Sequence, residues 1–157
     1  MREYVYTRLK SYIINKGWFY IKSVSCPDVI EPHSLSVNTG VRLVVHKQRF
    51  GIDADSQLWH WDEGFLINKA SKLALDYEEG YIRTFHRVHA CQNARKLIND
   101  ASTQLWVLLK GGFIANQKKS VLDIRRASMK GPSIIIHRRK RKHNDNQRWL
   151  LEPEIEH

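Results

Sequence analysis

Three glutamines each stand two residues before a tryptophan: Gln57-Leu58-Trp59, Gln104-Leu105-Trp106 and Gln147-Arg148-Trp149. A primary carboxamide both donates and accepts hydrogen bonds, and residues two apart on a strand point to the same face. The triplet therefore couples a large apolar anchor to a polar group that can satisfy buried turn backbone. Leu-Asp pairs ending in Asp76 and Asp123 precede the second and third triplets, and Glu31 holds the matching place before the first. Such carboxylates can cap the turns beside them. A different chemistry belongs to Arg138-Arg139-Lys140-Arg141-Lys142. Five consecutive cations suit a polyanion such as a nucleic acid, a sulfated glycan, an acidic protein or an anionic membrane surface. No aromatic interleaves them, so recognition of bases by stacking is not indicated.

Other chemistries are not indicated. No nucleophile stands with a base, no glycine loop is built to cradle phosphates, and no paired-carboxylate site is present, so the chain reads as a non-enzyme without a cofactor. His86 and His89 are three apart in an expected strand, where they face opposite ways, so no metal site is expected there. The two cysteines, Cys26 and Cys91, lack metal or redox spacing and read as reduced thiols. The N-terminus mixes charge into every turn and lacks the apolar core of a secretory signal, and no apolar run is long enough to span a membrane, so a cytoplasmic location is expected.

The elements that must position these groups are legible as a repeat. The three tryptophans are separated by 47 and 43 residues. Gly64, Phe65, Asn68 and Asp76 align with Gly112, Phe113, Asn116 and Asp123 if one residue is deleted, and a fainter first copy sets Tyr20 beside Phe65. Each unit carries an apolar segment in its second half, at 41–47, 86–92 and 133–139; the first and third have strand composition. Glycine turns at 62–64 and 110–112 follow the Trp segments and predict hairpins. Residues 1–16 form an extension in which Val5, Leu9, Tyr12 and Ile13 could make a short amphipathic face.

A chain of 157 residues suits one domain. Three units of about four strands are too few for a propeller but can close a single barrel with threefold pseudo-symmetry. The expectation is an all-β protein: repeats at approximately 17–61, 62–109 and 110–151 within a domain spanning 17–157, with Trp59, Trp106 and Trp149 in equivalent core places. The net charge of +10 is concentrated. Residues 118–142 hold ten Lys/Arg and one acid, a net +9, and the remainder is nearly neutral.

Three Gln-x-Trp triplets in register with Leu-Asp segments resemble the ricin B-type β-trefoil lectin family, most of all its intracellular-style fungal members. The resemblance covers 17–151. It implies a β-trefoil whose repeats can each hold a shallow galactose-type pocket: an acid for paired sugar hydroxyls, an aromatic platform and an Asn before the Gln. Carried over, the third repeat supplies Asp123, His137, Asn146 and Gln147, the best pocket. The second supplies Asp76 and Gln104, with Thr103 in the Asn place and the aromatic place near Cys91. The first supplies Glu31, His46 in the aromatic place and Ser56 in the Asn place. The family's bridging Cys before Leu-Asp is replaced by Ala74 and Val121. The implied partners are galactose-type or, given the surrounding charge, acidic or sulfated glycans. Weak lectin-like binding is the expected function, and polyanion binding through Arg138, Arg139, Lys140, Arg141 and Lys142 is the alternative.

Overall fold

The computed structural model describes residues 17–78, 87–126 and 132–154. The amphipathic face expected in the extension, and His86, lie outside the described residues. Twelve strands follow in chain order: β1 Phe19–Ser23, β2 Asp28–Pro32, β3 Leu43–Lys47, β4 Leu58–Asp62, β5 Phe65–Asn68, β6 Ala74–Tyr77, β7 Val88–Asn93, β8 Val107–Leu109, β9 Phe113–Ala115, β10 Ser120–Arg126, β11 Pro132–Arg138 and β12 Trp149–Pro153. The three apolar segments expected as strands are β3, β7 and β11, and the two glycine turns join β4 to β5 and β8 to β9.

Six strands make the barrel. β1 pairs with β12 and β4, β4 with β5, and β8 with β9. The remaining seams are joined by equivalent backbone bonds, Trp106 N–H to Gly64 O (2.9 Å) and Trp149 N–H to Gly112 O (2.7 Å). The other six strands form three hairpins, β2–β3, β6–β7 and β10–β11. They close into a cap: β11 pairs with both β3 and β7, and a bridge between Arg42 and Cys91 joins the β3 and β7 hairpins. This is a β-trefoil.

The tryptophans share one environment. Each is buried in the central core, and each indole N–H donates to the carbonyl of the residue before the repeat's acid. The distances are 3.1 Å from Trp59 to Ile30, 2.9 Å from Trp106 to Leu75 and 3.2 Å from Trp149 to Leu122. The apolar body fills the barrel while the N–H ties barrel to cap, so each of the three buried indole donors is satisfied. Smaller apolar clusters repeat too: Tyr20 with Val29, Phe65 with Ala74, and Phe113 with Val121. The alignment of Tyr20 with Phe65 therefore holds in three dimensions.

Gly112 marks where the seam tolerates no side chain. Its φ is +90°, and an added Cβ would lie 2.5 Å from the Trp149 carbonyl oxygen, on backbone that cannot swing away. Gly40, at φ +77°, has open space around it. Gly112→Ala is expected to cost about 2–4 kcal/mol, combining left-handed strain with loss of the seam bond. Gly40→Ala should cost only the strain, about 1–2 kcal/mol. Urea unfolding midpoints read the contrast, and equal shifts would show that the seam contact contributes nothing.

Candidate functional site

The glutamines do one job three times. Gln57 Nε2 donates to Lys47 O (2.8 Å), Gln104 Nε2 to Ala94 O (3.0 Å) and Gln147 Nε2 to Arg138 O (2.9 Å). Their Oε1 atoms accept the backbone N–H of Arg49 (2.7 Å), Lys96 (2.9 Å) and Lys140 (2.8 Å). The same Nε2 atoms reach the acids: Glu31 Oε2 at 3.3 Å, Asp76 Oδ2 at 3.1 Å and Asp123 Oδ2 at 2.9 Å. All three side chains are fully enclosed. Each amide thus pins the chain leaving the cap hairpin and orients one carboxylate. Gln104 and Gln147 position the acid, and a ligand on the surface would meet the acid's neighbours before the amide.

In the third repeat, the expected residues converge. Asn146 Nδ2 donates to Asp123 Oδ1 at 2.9 Å, opposite the oxygen held by Gln147. His137 Nδ1 lies 3.8 Å from Asp123 Oδ2 and shares a 2.8 Å contact with the Arg138 carbonyl, and its side chain is 42% exposed. Two cations complete the group: Arg125 Nε lies 3.5 Å from Asp123 Oδ1, and Lys140 Nζ donates to Asn146 Oδ1 at 3.1 Å. Asp123 is 0% exposed. Four neighbours surround its carboxylate, so a buried charge is paired.

The first repeat builds a related group and leaves a cleft beside it. Glu31 is paired with the Arg49 guanidinium, and His46 Nδ1 lies 3.6 Å from its other oxygen. Glu31, His46 and Arg49 line a cleft of about 400 Å³ together with His33, Val44 and Pro132. Ser56, in the Asn place, is buried, and its hydroxyl has no hydrogen-bond partner among the described residues.

The second repeat differs, and strand register corrects its reading. Cys91 lies opposite Asp76, as Val44 lies opposite Glu31 and Ile135 opposite Asp123. The residue equivalent to His46 and His137 is therefore Asn93, two places on. Its Nδ2 donates to Asp76 Oδ2 at 3.0 Å, while Tyr77 N–H holds Oδ1 at 2.7 Å. With Gln104 on Oδ2 as well, three donors hold this carboxylate, and an amide stands where the other two repeats place an imidazole. Cys91 is buried, and desolvation together with the neighbouring Asp76 and Glu78 charges pushes its thiol up to about 12. Both cysteines are free.

The basic run is divided by the fold. Arg138, Arg139, Arg141 and Lys142 are exposed, but Arg139 lies over the Phe113 ring at 3.9 Å, and the half-buried Lys140 is tied to Asn146. Sequence reasoning missed Arg49 and Arg125, which sit on the first and third acids. A signal existed for one of them. Arg49, Lys96 and Lys140 are three cations at equivalent places, each two residues beyond the carbonyl that its repeat's Gln holds. Among the described residues, no group of three or more His, Cys, Asp or Glu gathers in a metal-binding arrangement, and no helix is long and apolar enough to cross a membrane.

No protein-family model matches the sequence. No curated protein matches it either. Solved structures do. The chain is similar to the mdaA-1 domain determined in solution, with 26% identity and a TM-score of 0.75 over 87% of this chain and 90% of that one. It is also similar to the C-half of an earthworm R-type lectin in complex with GalNAc, with 25% identity and a TM-score of 0.66 over 88% and 99%. A designed protein of threefold symmetry, ThreeFoil, matches at 22% identity with a TM-score of 0.68 over 87% and 98%. Pairing, core and neighbours agree that this chain is a β-trefoil, built on the frame that R-type lectins share.

Proposed function

We propose that the protein is a carbohydrate-binding, lectin-like module with sites on its third and first repeats. The observation that carries this reading is that Asn146 and His137 both come within 4 Å of the Asp123 carboxylate. A carboxylate beside an amide and a half-exposed ring is the set of groups that sugar hydroxyls and an apolar sugar face require. The likeness to a lectin half that holds GalNAc supports the same reading. The first repeat repeats the acid and imidazole, with the open cleft in front of them. The second lacks the ring and contributes no site.

The arginines decide which sugars fit. A guanidinium stands beside each acid, Arg125 at Asp123 and Arg49 at Glu31, and flanks a ligand that comes to it. Acidic or sulfated sugars are favoured over neutral galactose, because a cation that meets an anion gains a charge-assisted bond. Shallow sites of this kind bind at about millimolar, or about −4 kcal/mol each, so useful retention needs several of them together.

A glycan array followed by titration tests this. Acidic galactosides should give the strongest signal, weakening as salt rises, and the double variant Asp123→Asn, Glu31→Gln should lower affinity by about tenfold or more. Binding strongest for uncharged galactosides and indifferent to salt would overturn the acidic preference. A second reading, polyanion retention by the basic run, is favoured by Arg138, Arg141 and Lys142. They are exposed and make no ion pair among the described residues. Serine at all five positions 138–142 should abolish retention on a heparin column, and unchanged elution would exclude this reading.

A further inference from the structure

A second dent lies on the other side of the loop that forms the third-repeat site. Its volume is about 570 Å³, and three cations line it: Lys110 from the β8–β9 turn, Arg139 from the start of the basic loop, and Arg148 from the residue before Trp149. Asn144 lines it as well, and no carboxylate does. Lys110 and Arg148 lie outside the basic segment of the sequence, and folding brings them to Arg139.

Two of the three cations are held in place. The Arg139 guanidinium lies 3.9 Å from the centre of the Phe113 ring, a cation–π contact that favours this position. Arg148 Nε donates to Gly111 O at 2.8 Å, and its Nη1 reaches Asp145, itself largely exposed, at 3.5 Å. Lys110 makes no hydrogen bond or ion pair with the described residues and can turn into the dent. Arg139 makes no hydrogen bond with the described residues through its side chain, and Arg148 keeps Nη2 free of the contacts that hold it; with Lys110 these donors suit the oxygens of a sulfate.

The loop joins this dent to the candidate sugar site. Lys140 contacts Gln147 and Asn146 on the Asp123 side, and its carbonyl holds Asn144 on the dent side. We propose that Lys110, Arg139 and Arg148 form a subsite for the sulfate group of a sulfated oligosaccharide whose next residues reach the Asp123 site. The proposal rests on the lectin reading and names its ligand class. A nucleic acid fits less well: the aromatic of the dent, Phe113, is covered by Arg139 and 3% exposed, so it offers bases no stacking surface.

Titration with a heparin-derived sulfated tetrasaccharide, its desulfated form and a single-stranded oligonucleotide tests it. Two variants remove the same charge: Lys110→Gln with Arg139→Gln in the dent, and Arg141→Gln with Lys142→Gln outside it. The dent variant should weaken the sulfated tetrasaccharide by about tenfold or more, and the outer variant by less than about threefold. Lys110→Gln alone touches no bonded group; it should weaken binding by about threefold at unchanged melting temperature. Equal losses in the two pairs would overturn the subsite in favour of diffuse attraction. So would an oligonucleotide bound as tightly as the sulfated sugar and weakened equally by the dent variant. Asp123→Asn separates this proposal from the reading beneath it. If uncharged sugars never bind while the sulfated one still responds to the dent pair, the lectin reading fails and the dent stands. If uncharged sugars bind and are lost in Asp123→Asn, but both charge pairs behave alike, the dent fails and the lectin reading stands.

Discussion

Trp106→Ala is expected to cost about 4–6 kcal/mol, a large share of the stability of a domain this size. Two losses combine. Removing the indole empties a place in the barrel centre, where Tyr77 packs edge-on at 5.9 Å between ring centres, and collapse around it is limited because the strands on every side are paired. Large-to-small core changes of this kind cost about 3–5 kcal/mol. The Leu75 carbonyl also loses its 2.9 Å donor and stays buried, adding about 1–3 kcal/mol. Trp106→Phe separates the two, since it keeps most of the volume and loses only the N–H and part of the ring, and it should cost about 1–3 kcal/mol. Urea denaturation reads both, provided the slope is unchanged. If Trp106→Ala costs less than Trp106→Phe, the indole is not a central filling residue. Because Trp59 and Trp149 hold equivalent places, alanine there should rank close to Trp106→Ala.

Gln147→Leu comes next, at about 3–5 kcal/mol, although it replaces a polar side chain by an apolar one of similar size in a fully enclosed place. The hydrophobic effect alone would make this change favourable. The bonds decide otherwise. Lys140 N–H and Arg138 C=O both lose their amide partner, and Asp123 keeps Asn146 as its one direct hydrogen-bond donor. The Lys140 N–H left open and the donor lost from the buried Asp123 carboxylate each cost about 1–3 kcal/mol, while the Arg138 carbonyl keeps its 2.8 Å contact with His137 Nδ1. Hydrogen exchange should report the loss locally, with Lys140 N–H moving from protected to fast. An exchange rate unchanged at Lys140 would mean that the glutamine does not hold this loop. The same variant should loosen both candidate sites of the third repeat, because loop 138–146 carries Arg139 toward one and Asn146 toward the other.

Much of the trefoil was legible before any coordinates. Tryptophans at 47 and 43 residues and the Gly-Phe and Leu-Asp anchors define three units. The β-branched composition of 41–47 and 133–139 marks two of the cap strands. The middle cap strand was the weak one. Residues 88–93 have no clear alternation, and they become β7 because β6 and β11 pair with them on either side. The same weakness explains the register slip at Cys91. In a strand without a pattern, nothing local says which of two residues, Cys91 or Asn93, lies beside the acid.

The sites divide in the same way. The chain alone determined which residue types recur at equal intervals, because a threefold barrel needs the same anchor, clamp and acid once per unit, and those demands are local to each repeat. The grouping of Asn146 and His137 with Asp123 was what the family resemblance implied, and the hydrogen bond and the 3.8 Å approach at Asp123 agree with it. Only the tertiary structure decided what covers each acid and which cations share a dent. Arg49 on Glu31, Arg125 on Asp123, and Lys110 and Arg148 around Arg139 depend on how side chains turn at the junctions of strands. Long flexible cations settle wherever the folded surface offers an oxygen or a ring, and sequence spacing does not encode that choice.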